Sequence, residues 1–359
     1  MTAASIIERA IVDRAFPAAV VETGNREGVI WRQAFGTLTY EDDAPSTQED
    51  TIFDLASLTK VIATTTIAMR AVAAGRIALD ERVAARLPLW RGADREHVTI
   101  ADLLEHASGL TAYLPFFRDY RGRAEFERAI CTMPLEYPPR TQSIYSDLGF
   151  MLLAFILEDV YAEPFANVFQ KTAGLTADAT SAPDPSIVFN PARELRSRCA
   201  PTELDLWRGR LLQGEVHDEN CYALGGAAGH AGLFGTAAGV GRFARMVLGE
   251  CGGATFERFM TKSTVPGSSR ALGWDTMLPT SSCGTRMSPR AIGHTGFTGT
   301  SLWIDPERDV YVVLLTNRVH PSRENNQIQP VRRAFHDVLL GSGIAAQGSR
   351  VGDREEPGS

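Results

Sequence analysis

Strand-like segments lie near both ends of the chain and enclose a long middle region with helix signals. Residues 18–23 and 29–35 are apolar and β-branched around a turn at 24–28, and residues 291–296, 300–304 and 310–316 repeat that pattern. Distant segments of this kind can share one antiparallel sheet when the chain between them forms its own layer. The order predicts an α+β fold: an antiparallel sheet flanked by helices, with a mainly helical second lobe.

The middle region begins with a segment that predicts a buried central helix over residues 57–74. Apolar side chains nearly surround this segment, and Gly75 follows it as a C-terminal cap. Further helices are predicted from Thr99 to Gly109, over 148–160, from about Thr236 and over 330–340. We therefore expect a sheet lobe formed by 1–84 and 266–340, a mainly helical lobe over 85–265, and a disordered tail over 341–359.

Composition excludes several classes of function. The formal net charge is −7 without a basic stripe, so a nucleic-acid partner is not expected. No run of 18 apolar residues is present, so we expect no membrane span, and charged residues interrupt the first 20 positions as they would not in a signal peptide. These features predict a cytoplasmic protein. The five cysteines are odd in number and lack C-x-x-C spacing, which favours free thiols over disulfides or zinc.

Ser57 and Lys60 form the first candidate catalytic pair. A lysine three residues after a serine lies on the same face of a helix, and burial together with the positive helix end is expected to lower its pKa so that the neutral amine acts as base. Arginine could not serve in this way, and the chain has three lysines against 33 arginines. The alternative is structural, with Ser57 as a helix cap and Lys60 as a solvated side chain.

Two further segments contain groups that suit acyl transfer. Tyr145 precedes Ser146 and Asp147; a tyrosine hydroxyl can relay a proton, and a carboxylate can orient a lysine or a substrate. The segment His294-Thr295-Gly296 reads as a strand edge whose glycine lets a substrate approach the backbone, where N–H groups can stabilise an oxyanion. A buried tyrosine and a glycine-rich hairpin are the structural alternatives.

Other active-site types lack their motifs. The chain has no Gly-x-Ser-x-Gly elbow. His217, Asp218, Glu219 and His230 could ligate a metal, but no regular ligand spacing accompanies them, so no metal site is predicted. Residues 225–235 contain five glycines without the Gly-Lys-Ser/Thr ending of a phosphate loop, which favours a wall of a cleft.

Taken in order, these three motifs resemble the Ser-x-x-Lys, Tyr-x-Asn and Lys-Thr-Gly set of the penicillin-recognising serine enzymes. The chain looks like the class C β-lactamase-related branch, which includes β-lactamases, D-Ala-D-Ala carboxypeptidases, D-aminopeptidases and carboxylesterases. The resemblance covers roughly residues 15–340 and includes 77–80, 98–110, 229–243 and 293–305. It implies the β-lactamase/transpeptidase-like form of the fold, with a cleft between the lobes.

The resemblance also implies a role for each matching residue. Ser57 would be the acylated nucleophile, Lys60 its base and Tyr145 a proton relay. The backbone N–H groups of Ser57 and Phe297 would form the oxyanion hole. The substrate would be bound by four residues along the cleft: Asp147, His294, Thr295 and Gly296. No metal or other cofactor is implied.

Two positions depart from the family pattern. Asp147 replaces the usual asparagine; a carboxylate cannot donate a hydrogen bond to a substrate amide carbonyl, but it can pair with Lys60 and raise the pKa of that lysine. His294 replaces lysine, so a fixed cation for a substrate carboxylate is not assured near pH 7. Both changes weaken the case for β-lactam or D-Ala-D-Ala substrates.

The sequence therefore predicts a serine hydrolase acting on small carboxylic esters or amides through an acylated Ser57. One alternative is β-lactamase, D-Ala-D-Ala carboxypeptidase or D-aminopeptidase activity. A second is a non-catalytic ligand-binding sensor on the same scaffold. The expected partner is a small-molecule substrate, with no nucleic acid and no membrane, and the sequence does not indicate an oligomeric state.

Overall fold

The central element is a six-stranded antiparallel sheet, here described from a computed structural model over residues 2–172 and 186–342. Its strand order is β2-β1-β11-β10-β9-β8. The strands are β1 (Ala18–Gly24), β2 (Val29–Gly36), β8 (Asp275–Thr276), β9 (Ile292–Thr295), β10 (Ser301–Asp305) and β11 (Val310–Thr316). β1 pairs with β11 in the register Val21 to Leu314, which confirms that the two ends of the chain share one sheet.

The sheet is buried on both faces because alternate side chains of each strand point to opposite sides. In β11, Val312 and Leu314 pack toward α1 (Ala3–Val12) and α11 (Ile328–Gly341). Val313 and Leu315 point the other way, into the main core with α9 (Ala237–Glu250). All seven β11 residues are buried, and each large apolar side chain contributes about 1.5–3 kcal/mol.

Helices dominate the chain between β2 and β8. They are a π-helix (Lys60–Thr65), α2 (Thr66–Ala73), α3 (Val83–Arg86), α4 (Ile100–Leu104), α5 (Gly122–Thr132), α6 (Asp147–Tyr161), α7 (Phe165–Thr172), α8 (Glu219–Ala223), α9 and α10 (Ala254–Met260), with 3₁₀ turns at Phe116–Arg118 and Arg193–Arg198. In α6 the ten consecutive residues 148–157 are all buried, so this helix is a central part of the core. The described helices include none that is both long and apolar enough to cross a bilayer.

Short strands complete the fold. β3 (Phe53–Asp54), β7 (Leu233–Gly235) and β4 (Ile187–Phe189) form a small sheet, and β5 (Leu204–Asp205) pairs with β6 (Arg210–Leu211) in a hairpin. β3 matters most for function because it leads directly to Ser57. The five cysteines are free thiols, as the sequence predicted.

The predicted helix over 57–74 is correct in place but not in form. Ser57 lies in a turn, Leu58 and Thr59 are helical, and Lys60–Thr65 is π-helical before α2 begins. The hydroxyl of Thr66 donates to the carbonyl of Val61, five residues back, which satisfies a carbonyl in the wider turn. The spacing of apolar residues in the sequence does not reveal this hydrogen bond.

Two other boundaries differ from prediction. α4 ends at Leu104 rather than near Gly109, because His106 takes a left-handed conformation with φ 56° and breaks the helix. α11 extends over 328–341 and so includes the first residue of the predicted tail. The predicted tail from 343 onward lies outside the described residues, and the division into two lobes stays a prediction.

Candidate active site

Ser57 sits at the end of a tightly held turn after β3. Ala56 has a φ of 45°, a left-handed conformation that costs a non-glycine residue about 1–3 kcal/mol. Its N–H donates to the buried carboxylate of Asp54 at 2.8 Å, and the N–H of Leu55 donates to Leu233 of β7. Burial raises the pKa of Asp54, whereas the two N–H groups that it accepts oppose that rise. These bonds fix the direction of the half-buried Ser57 side chain, which lines a cleft of about 750 Å³.

Lys60 lies behind Ser57 with its side chain wholly buried. Its Nζ donates to Ser57 Oγ at 3.1 Å, to Asp147 Oδ1 at 2.6 Å and to the carbonyl of His230 at 3.2 Å, so every ammonium proton has an acceptor. The structure thus brings Ser57, Lys60 and Asp147 into one hydrogen-bonded group. Only Lys60 is wholly buried, whereas Ser57 and Asp147 line the cleft.

The expected lowering of the Lys60 pKa is wrong. Burial does favour the neutral amine, but the charges and hydrogen bonds of Asp147 and Tyr145 outweigh it, so the pKa of Lys60 is raised above its usual value. The resting group is therefore an ammonium paired with a carboxylate. The pairing of Asp147 with Lys60, which the sequence predicted as the effect of the Asn-to-Asp departure, is present and has the predicted sign.

Tyr145 covers the same lysine from the cleft side. Its ring centroid lies 4.7 Å from Lys60 Nζ, 4.8 Å from the His106 ring and 5.7 Å from the His294 ring. Burial raises the pKa of Tyr145, with Asp147 adding to the rise and Lys60 and Ser57 opposing it. Near neutral pH the tyrosine keeps its proton, so it can donate to a leaving group or pass a proton along the group.

The start of α6 fixes Tyr145 and Asp147 relative to each other. Ser146 between them is the helix cap: its hydroxyl accepts from the N–H of Gly149, and its own N–H donates to Nδ1 of His106 at 2.9 Å. Asp147 is the first helical residue, where a carboxylate is favoured by the positive end of the helix. The sequence reasoning did not identify His106 as the acceptor that orients this cap.

His294 is neutral and enclosed at the end of β9. Its Nδ1 lies 2.8 Å from the carbonyl of Thr295, which can only accept, so Nδ1 bears the proton and the buried Nε2 has no partner among the described residues. Burial first, and then the charges of Arg270 and Lys60, put the pKa of His294 well below its usual value. His294 therefore provides no cation at the position where the resembling enzymes have lysine.

The turn after β9 is tied to the nucleophile segment. The hydroxyls of Thr298 and Thr300 donate to the carbonyls of Asp54 at 2.7 Å and Leu55 at 3.0 Å. Gly296 lies so close that an added Cβ would be 2.6 Å from the Leu55 oxygen. The structure thereby brings the β9 end, which also includes Thr295, to the edge of the Ser57 cleft.

The predicted oxyanion donors face the same cleft. In the described parts of the chain, neither the N–H of Ser57 nor that of Phe297 donates to a protein acceptor, and both residues line the cleft. The Phe297 side chain is 49% exposed, with the His217 ring 5.7 Å away and Arg318 4.5 Å over its face. Unused N–H groups in a cleft that also contains a serine hydroxyl can donate hydrogen bonds to a developing oxyanion. The catalytic role of each site residue stays a prediction.

The two histidines considered as metal ligands each contact one carboxylate. His217 contacts Glu203 and His230 contacts Asp218, each at 2.9 Å. Within the described residues no group of three or more His, Cys, Asp and Glu side chains is arranged to hold an ion. The contact of the His230 carbonyl with Lys60 and the place of Arg270 beside Tyr145 were both missed, because neither a backbone carbonyl nor one arginine among 33 gives a sequence signal.

Comparisons with known proteins agree with this architecture. The family model described as Beta-lactamase matches residues 3–335. The N-acetylmuramyl-L-alanine amidase of Bacillus subtilis (strain 168) is 31% identical, over 88% of this chain and 80% of its own length. Among solved structures, EstCE1, a hydrolase with promiscuous acyltransferase activity, has a TM-score of 0.74 at 21% identity, over 94% of this chain and 97% of its own. A class C β-lactamase from Rhodobacter sphaeroides has a TM-score of 0.72 at 19% identity, over 95% and 99%.

Proposed function

Because this chain belongs to the β-lactamase family of serine hydrolases, we propose that it hydrolyses small carboxylic esters through an acyl-enzyme on Ser57. The observation that carries the proposal is the hydrogen-bonded group of Ser57, Lys60 and Asp147 at a cleft that is also lined by two residues with unused backbone N–H groups. The nucleophile and the oxyanion donors then line one cleft, with the proton acceptor Lys60 buried directly behind the nucleophile.

The reaction needs the fraction of enzyme in which Lys60 is a neutral amine. Ser57 Oγ bonds to the ester carbonyl carbon while its proton moves to Lys60 Nζ, and the carbonyl oxygen becomes an oxyanion held by the N–H groups of Ser57 and Phe297. Collapse breaks the bond to the leaving oxygen, which takes a proton from Lys60 directly or through Tyr145. Water then attacks the acyl carbon while Lys60 takes its proton. The bond to Ser57 Oγ breaks, Ser57 regains a proton from Lys60, and the carboxylic acid is released.

Two features favour esters over amides. An alkoxide or phenoxide leaves with less help from a proton donor than an amine does, and here the raised pKa of Lys60 keeps the neutral base scarce near pH 7. Asp147 has no proton to donate to a substrate amide carbonyl, and its Oδ1 is already bound to Lys60. Both points count against a peptide substrate without removing the capacity for acyl transfer.

Amide hydrolysis is the second candidate because a relative with 31% identity is named as an amidase. Under this alternative the cleft would accept a cell-wall peptide or a β-lactam. The same Ser57 acyl-enzyme would form, so only the substrate preference separates the two candidates. A panel of p-nitrophenyl esters, nitrocefin and D-amino-acid amides measures that preference directly, and amide turnover above ester turnover would favour the second candidate.

Covalent labelling tests whether the site is catalytic at all. We expect intact-mass spectrometry to show one fluorophosphonate adduct on the wild-type protein and none on Ser57→Ala. Lack of an adduct on the wild type, or the same adduct on Ser57→Ala, would instead support a non-catalytic sensor on this scaffold. Ser143→Ala, which changes a half-buried serine bound to the Glu105 carbonyl, is the matched control and should label like the wild type.

A further inference from the structure

Arg270 is a cation in the cleft that the motifs do not include. It lies at the base of a hairpin that leads into β8, where its N–H donates to Ser268 Oγ and its carbonyl accepts from the N–H of Ser263. The hairpin turn is anchored in the core by Ala271, Leu272 and Trp274, all buried. The backbone that holds Arg270 is therefore fixed.

The guanidinium of Arg270 lies over the face of Tyr145. Its Cζ is 5.1 Å from the ring centroid, and the same ring is 4.7 Å from Nζ of Lys60. Two cations thus lie against one aromatic ring, one behind the nucleophile and one in the cleft. Ser57 and Arg270 line the same cleft, so we expect one small substrate to contact both.

Few groups among the described residues balance the charge of the Arg270 guanidinium or accept its hydrogen bonds. In the part of the chain that the structure describes, its guanidinium makes no hydrogen bond, and its nearest carboxylate, Asp275, is 4.0 Å away. The side chain is only 17% exposed, so few water molecules can solvate it. A partly buried guanidinium with unused donors is a strong site for a carboxylate, which it binds through paired hydrogen bonds.

The other arginines that line the cleft are already occupied. Arg318 donates to the carbonyls of Phe297, Arg323 and Asn325. Arg323 binds Glu203 and Glu219. Arg332 donates to the carbonyls of Gly296 and Thr300, and its Nε, which has no partner among the described residues, is buried away from a ligand. These groups hold the walls of the cleft. Arg270 is thus the lining arginine whose donors the described structure leaves available to a ligand.

We propose that Arg270 binds a carboxylate of the substrate and so provides the cation that His294 does not provide. The inference rests on the proposed function and deepens it: the preferred ester carries a carboxylate near its scissile bond. His294 is consistent with this assignment, because burial first, and then the charges of Arg270 and Lys60, lower its pKa and keep it uncharged. The carboxylate can lie on the acyl side or on the leaving-group side.

Matched ester pairs distinguish a carboxylate on the acyl side from one on the leaving-group side. The acyl-side pair is the p-nitrophenyl hemiester of glutarate and its methyl-capped form, and the leaving-group pair is 3-butyryloxybenzoate and its methyl ester. In the pair whose carboxylate is bound by Arg270, we expect Arg270→Gln to lower kcat/KM of the carboxylated ester by about ten- to a hundredfold, which is the range for a charge-assisted hydrogen bond. The same substitution should change kcat/KM of the capped ester less than threefold. Arg270→Lys should keep part of the preference, and Asp275→Asn should increase it.

Arg9→Gln removes the same charge from an exposed position on α1 and should leave both esters unchanged. Equal losses on capped and carboxylated esters would show that Arg270 only positions Tyr145, and no loss on either pair would show no role. Both results would overturn the proposal. Binding to Ser57→Ala, measured by calorimetry, gives a readout without turnover: the carboxylated ester should bind at least tenfold tighter than to the Ser57→Ala/Arg270→Gln protein. If the wild type hydrolyses no ester, the proposed function fails while this comparison still decides the role of Arg270.

Discussion

Asp147→Asn is the sharpest test of how this site handles protons. The change keeps the shape of the side chain and removes the charge that holds Lys60 as an ammonium at 2.6 Å. Asparagine is also the residue that the resembling enzymes have at this position. Without the carboxylate, burial of Lys60 is no longer outweighed to the same extent, so the pKa of Lys60 falls.

The size of the effect follows from the geometry of the pair. Two unit charges 4 Å apart in an effective dielectric of about 20 attract by about 4 kcal/mol, and about 1.4 kcal/mol corresponds to one decade of protonation. The pair is closer than this, but Asp147 is 18% exposed and the amide oxygen of asparagine still accepts a hydrogen bond. We therefore expect kcat/KM for p-nitrophenyl butyrate at pH 7 to rise by about tenfold, after allowing for the weaker basicity of the amine.

The assay is the pH profile of kcat/KM from pH 5 to 10. In the wild type the rate should still be rising at the alkaline end, because the base is the deprotonated form of a lysine with a raised pKa. In Asp147→Asn the plateau should be reached at a lower pH. Asp159→Asn changes the same residue type on the same helix, in an exposed pair with Arg123, and should leave the profile unchanged.

Loss of activity at all pH values would refute this reasoning. That result would mean that Asp147 itself takes the proton of Ser57 by way of Lys60. An unmoved profile would mean that the ion pair does not control the base. Thermal unfolding followed by circular dichroism must accompany the kinetics, because breaking a buried ion pair costs about 3–5 kcal/mol of folding stability when the remaining partner stays charged. Lys60 can lose its proton, so we expect a smaller loss of stability than that.

Three further substitutions test separate parts of the site. Lys60→Arg should abolish ester turnover although it keeps the charge, because arginine does not lose its proton. A rate within tenfold of wild type would argue against a lysine base. Lys60→Met checks that the pocket tolerates a changed side chain. Gly296→Ala should lower kcat/KM by about a hundredfold, because its Cβ would press on Leu55 beside an oxyanion donor, whereas Gly28→Ala meets nothing within 4 Å and should be silent. His294→Lys should lower Tm without creating nitrocefin hydrolysis, because the new charge would be buried near Lys60 and Arg270 with no carboxylate of its own; appearance of β-lactamase activity would contradict this.

The fold was predictable because its signals are local and repeated. The continuous apolar run over 310–315 predicts a strand buried on both faces of a sheet, and that strand is β11 with all seven residues buried. The long apolar run after Asp147 likewise predicts α6. The π-helix at Lys60 was not predictable, because it depends on a side-chain bond from Thr66 rather than on periodicity.

The candidate site was predictable only where residue type and order carry the signal. Ser57, Lys60 and Tyr145 were identified because few lysines compete and because the three motifs follow each other in the order of a known set. The expectation that burial and the helix end lower the pKa of Lys60 had the wrong sign, because the shift depends on a carboxylate 87 residues away in the chain. Arg270 was missed for a similar reason: its loop position has no motif, and only the packing against Tyr145 distinguishes it from other arginines.

Proton handling and anion binding are separate tasks in this site, and the separation can be measured. Asp147 acts on Lys60 behind the nucleophile, whereas Arg270 faces the cleft from the hairpin before β8. If the tasks are independent, Asp147→Asn moves the pH profile without changing the preference for carboxylated esters, and Arg270→Gln does the reverse. The double variant should then be additive within about 0.5 kcal/mol. A larger coupling energy would show that the two groups act through Tyr145, which both cations contact, and would join the two tasks into one network.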